Sequence, residues 1–151
     1  MNSRRLSFLL IVLLSGNAAC ANDAQHVRAS HAWIRVLPGD LPAGAYVTLE
    51  NDGDHPVALR SASSPAYADV MLHKSSSAGG MSRMTMVDEL PLPAHGKVEL
   101  APAGYHLMLM KATRPVKPGN TIRMTLEFSD GSTLAADFMA RPANAVDDTA
   151  H

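Results

Sequence analysis

Tyr105-His106-Leu107-Met108-Leu109-Met110 is the stretch that decides how this chain is read. In an extended strand alternate side chains share a face. His106, Met108 and Met110 therefore point one way, and Tyr105, Leu107 and Leu109 the other. A strand that serves only a core sets aliphatic groups against polar ones. Here imidazole and thioether groups stand where the polar ones belong. Such donors suit a soft, nitrogen-tolerant ion, Cu(I) foremost.

The same bias recurs upstream. Six of the nine methionines, at 71, 81, 84, 86, 108 and 110, fall in one window from Met71 to Met110. Met often does no more than fill irregular core space, and a lone strand histidine such as His73 is commonly structural. The joint pattern is the argument: Met71 with His73, Met84 with Met86, and His106 with Met108 each share a strand face. Three strands offering His or Met is more than packing requires. The roles of Met71, Met81, Met86 and Met110 stay open at this level.

Around this stretch the chain breaks into short alternating runs, at 31–37, 44–51, 56–62, 68–74, 82–87, 96–100, 105–111, 120–128 and 132–139. Turn residues separate them, including Asn51-Asp52-Gly53-Asp54, Ala78-Gly79-Gly80 and Ser129-Asp130-Gly131; the last predicts a tight hairpin. No amphipathic helix is evident. The pattern predicts an all-β, single-domain antiparallel sandwich or barrel over 29–141, with a flexible segment at 22–28 and a disordered tail at 142–151.

The start reads as an export leader over 1–21. Arg4 and Arg5 supply its charge, Leu6 to Leu14 its apolar run, and Ala19-Cys20-Ala21 a small-residue cleavage site. That run falls short of the ~18 apolar residues of a spanning helix, so no transmembrane segment is expected. The rival is lipoprotein processing at Cys20, disfavoured by Asn17 where a Leu-like residue is wanted. Cys20 is the one cysteine, so a chain cut after Ala21 has no thiol. In an oxidising compartment thiolates pair or oxidise, and methionine is the sulfur donor that persists. Losing two arginines with the leader moves the formal charge from −1 to −3, and nothing in the sequence suggests the basic patch that nucleic-acid binding needs. No catalytic carboxylate arrangement is visible: Asp52 and Asp54 flank a turn glycine, and Asp147-Asp148 lies in the tail.

His73, ten residues, Met84, twenty-one residues, then His106-x-Met108 resembles the His-x10-Met-x21-His-x-Met signature of the periplasmic copper A chaperone (PCuAC-type) family. Ala32-Trp33-Ile34-Arg35, Ala43-Gly44-Ala45-Tyr46 and Pro93-Ala94-His95-Gly96 are similar to it too, so the resemblance spans about Ser30 to Ala140. Many relatives place another Met just after the first histidine, where this chain has Lys74-Ser75-Ser76-Ser77. The resemblance implies a cupredoxin-like Greek-key fold. It also implies a periplasmic carrier that is not an enzyme, holds Cu(I) through His73, Met84, His106 and Met108, and passes it to acceptors such as the CuA centre of cytochrome oxidase or another periplasmic copper protein. Two other readings compete: copper sequestration by the same site, and a structural sandwich whose methionines only pack. A blue-copper centre would need a cysteine, and a histidine brace would need His at the mature N-terminus.

Overall fold

The computed structural model describes residues 22–148; the expected leader, Cys20 and the last three residues of the tail lie outside them. A 3-10 turn at Asp23–His26 leads into ten strands: β1 Val27–Arg35, β2 Ala43–Asn51, β3 Val57–Ser63, β4 Tyr67–Ala78, β5 Met81–Met86, β6 Leu90–Leu92, β7 Lys97–Leu100, β8 Tyr105–Ala112, β9 Thr121–Phe128 and β10 Thr133–Arg141. They form one hydrogen-bonded path, β5-β4-β8-β2-β1-β10-β9-β3-β6, with β7 also paired to β2. Only β1 and β10 run parallel. β2, mid-path, touches β6 at its far end, so the sheet folds over itself and encloses one core.

Period-two alternation builds that core. β9 buries every second side chain, Ile122, Met124, Leu126 and Phe128, while Thr121 and Arg123 face out. Leu49, Leu107, Leu109, Phe128 and Phe138 have no exposed surface. Tight turns hold the register. Ala78 pairs with Met81, and both intervening glycines have positive φ, +59° and +77°, as a two-residue type I′ hairpin requires. The expected hairpin at 129–131 closes β9 onto β10, with the Gly131 N–H donating to the Phe128 carbonyl at 2.8 Å.

Several boundaries differ from expectation, and β4 runs four residues past the expected end at 74, to Ala78. The segment 22–28, expected to be flexible, is tied down: the Asp23 N–H donates to the Asp130 carboxylate and the Ala24 N–H to the Ser132 hydroxyl, and β1 begins at Val27. A bulge between Ser30 and Trp33, with His31 at φ +50°, breaks the alternation there and hides the strand's first half. Residues 142–148, expected to be disordered, fold back onto the sheet: Arg35 Nε donates to the Ala145 carbonyl at 3.0 Å and Arg141 to that of Asp148 at 2.7 Å. The strand at Leu90-Pro91-Leu92 was not expected, being three residues long with a central proline.

Candidate metal centre

The pairing of β4 with β5 and β8 assembles the His and Met side chains. On β8, His73 of β4 lies opposite His106 and Met71 opposite Met108. On β5, His73 lies opposite Met86 and Ser75 opposite Met84. Directly paired residues share a face, so all six imidazole and thioether groups project from one side of a three-stranded patch. Leu72, Leu107 and Leu109 point to the other side, into the core. The two imidazoles meet edge to face with ring centroids 5.8 Å apart.

Next to them, β1 and β2 supply an aromatic wall. Trp33 lies opposite Tyr46 and Arg35 opposite Gly44. The rings of Trp33 and Tyr46 are 4.6 Å apart, Tyr46 and His106 are 6.5 Å apart, and the Arg35 guanidinium covers both Trp33 and Tyr46. Gly44 faces Met108 across β8. A Cβ there would come within 2.6 Å of the Tyr46 hydroxyl, so the missing side chain is what lets Tyr46 lean over this row. Burial pushes the Tyr46 hydroxyl's pKa up, with Arg35 pulling it partway back, so the phenol stays neutral and adds no hard anionic donor.

The two histidines are prepared differently. His106 is buried, and its Nδ1 lies 3.1 Å from the Gly104 carbonyl. A carbonyl can only accept, so Nδ1–H donates and Nε2 is left with its lone pair free. This is how ligating histidines are commonly oriented. Both ring nitrogens of His73 are shielded from solvent, and among the described residues neither has a hydrogen-bond partner. A shielded imidazole without partners is costly; an ion that accepts its lone pair would remove part of that cost. Burial, and then the neighbouring His106, hold its pKa below the ordinary histidine value. It therefore stands neutral and ready to donate.

Among the described residues no group of three or more His, Cys, Asp or Glu is placed to hold a metal, and the sulfur-bearing side chains on the face of this pair are thioethers. Met84 and Met86 are 51% and 71% exposed, whereas Met124 is fully buried. Methionine as core filler thus describes Met124 and not the β5 pair. His73, His106 and Met108 lie on adjacent paired strands, and Met84 lies one row nearer the hairpin tip. A groove flanked by Leu41, Tyr67 and Val116 includes none of the four. Missed from sequence were the position of Met86 opposite His73 and the Trp33–Tyr46–Arg35 wall. Both depend on which strands pair, which alternation alone does not reveal.

A family profile described as "Putative lipoprotein LpqE-like" matches residues 27–140. "Putative lipoprotein Lxx21020" of Leifsonia xyli is 33% identical over 112 residues, which cover 74% of this chain and 67% of that protein. The solution structure of CuI-DR1885 from Deinococcus radiodurans is 35% identical with a TM-score of 0.63, covering 82% of this chain and 83% of that one. The apo PmoF2 PCuAC domain superposes with a TM-score of 0.67 at 24% identity, covering 81% and 94%. The molecule is therefore a cupredoxin-like β-sandwich of the PCuAC type. It belongs to the LpqE-like family.

Proposed function

We propose that this protein is a copper carrier that binds one Cu(I) through His73, Met84, His106 and Met108 and hands it to a copper enzyme without itself catalysing a reaction. The observation that carries the reading is the His73–His106 pair: two imidazoles, one aimed by Gly104 and one whose ring nitrogens have no hydrogen-bond partner among the described residues, bordered on the same face by thioethers. A donor set without charge favours the monovalent, soft ion. The 35% identical CuI-DR1885 supports copper as the cargo. Half-exposed Met84 favours delivery over storage, because an ion gripped at an accessible edge can be passed on. A thiolate-bearing acceptor such as the CuA centre of cytochrome oxidase binds Cu(I) more strongly than thioethers, so transfer runs downhill.

Residues 1–21, read as an export leader, support a periplasmic location. Cleavage after Ala21 would release it soluble; the rival, lipid attachment at Cys20, fits the lipoprotein names of its relatives and would keep that cysteine and tether the domain instead. Among the described residues no helix is long and apolar enough to cross a membrane.

Competition with a chromogenic Cu(I) chelator tests the proposal. The mature protein is expected to take up one equivalent, and the variant with alanine at 73, 84, 106 and 108 to take up none. Equal uptake by the two would refute it.

The site also sets a pH response. Thioethers do not titrate, and protons compete with copper only at the imidazoles. The His73 pKa is lowered from 6.5, so this residue binds few protons until the pH drops below that value. Its contribution to Cu(I) affinity is expected to be complete above about pH 6.5 and to fall off as the pH drops through its depressed pKa. Affinities measured across that range check the direction. Stronger binding in acid would contradict it.

A further inference from the structure

The motif spacing singles out Met84 on β5, yet the sheet register sets a different thioether directly across from His73. His73 pairs with Met86, and Met84 pairs with Ser75. The Val87 N–H donates to the Leu72 carbonyl at 2.9 Å. Bonded and non-bonded pairs alternate along an antiparallel ladder, and the non-bonded ones bring their side chains closer, with Cα atoms ~4.5 Å apart. The neighbouring His73–Met86 pair is of that closer kind. Met84 reaches His73 only along a diagonal, typically ~7–8 Å. Met86, His73 and His106 thus form one row across three strands, with Met71 and Met108 in the next row on one side and Met84 in the next on the other.

Nothing in the packing accounts for Met86. It is 71% exposed on β5, at the end of the sheet path, where the strand's far edge is unpaired. Its unbranched side chain is free to turn toward the histidine it faces.

We infer that Met86 is a further thioether donor of this site, binding the ion held by His73 and His106 and standing in for Met84. The inference rests on the copper reading above. Exchange between the two is a ligand substitution: the arriving sulfur donates its lone pair to Cu(I) as the departing sulfur leaves with its own. No proton or electron moves, and the ion stays monovalent. Two exchangeable donors on an open edge give the ion a route off the histidines toward an acceptor.

The test compares Cu(I) affinity, by chelator competition on the mature protein, for Met84→Leu, the Met84→Leu/Met86→Leu double variant and a His73→Ala/His106→Ala control. Leu matches Met in size, and both sites are exposed, so the fold is kept. Met84→Leu is expected to retain measurable binding, and adding Met86→Leu to lower it on the order of tenfold or more, with one fewer sulfur neighbour in the X-ray absorption spectrum. If the double variant binds as Met84→Leu does, the assignment of Met86 is overturned. Wild-type affinity in the histidine control would instead overturn the copper reading itself, whatever the methionines do.

Discussion

His106→Ala is expected to weaken Cu(I) binding by about a hundredfold or more while the chain stays folded. Losing even an outer partner of a metal ligand typically costs ~10–100-fold in affinity, and here the donor itself is removed. His106 is also the better oriented of the two imidazoles. Its Nδ1–H is committed to the Gly104 carbonyl at 3.1 Å, the residue is 6% exposed, and its ring sits between those of His73 and Tyr46. Alanine removes the nitrogen that this arrangement holds in place, and His73 would have to bind with thioethers alone. The fold should persist because the side chain lies on the face away from the core. Chelator competition reads the affinity, and circular dichroism of the apo variant reads the fold. An affinity within about threefold of wild type, in a folded variant, would remove His106 from the site.

How far the sequence reaches is set by what alternation encodes. It tells which residues share a face, and Leu107 and Leu109 are indeed core while Met108 and Met110 are only partly buried. It does not tell which strands are neighbours. The placement of Met86 across from His73 depends on the β4–β5 register, fixed by the Gly79-Gly80 turn, and the aromatic wall depends on β2 lying between β1 and β8. Where local rules failed, a distant contact or an irregular backbone prevailed. The polar segment at 22–28 reads as loose until Asp130 and Ser132, more than a hundred residues away, accept its N–H groups. The bulge at His31 hides the start of β1 by shifting its register. The tail reads as loose because its tether is two arginines meeting backbone carbonyls and His31 meeting the Asp148 carboxylate, interactions with no period. Face and spacing singled out the four candidate positions, and only the register arranges them in rows.

Leu107→Ala, one residue along from His106, is expected to cost ~2–5 kcal/mol of stability and to leave Cu(I) affinity within a few-fold of wild type in the folded fraction. Leu107 has no exposed surface and pairs with Leu72 on β4 and Ala45 on β2. Truncation loses the transfer free energy of the removed carbons and leaves a cavity that strands hydrogen-bonded on both sides cannot close. The donor groups lie on the opposite face of the same strands, and the backbone pairing that positions them survives the loss of a side chain. Urea unfolding of the apo protein measures the first effect, and chelator competition well below the unfolding midpoint the second. A cost under about 1 kcal/mol would mean the site repacks more freely than full burial implies. A collapse of copper affinity in still-folded protein would mean that the two faces are coupled and that the donor rows depend on the core packed beneath them. With His106→Ala giving the opposite outcome, adjacent residues would separate binding from stability, as expected of a strand whose one face is packed and whose other face carries the donors.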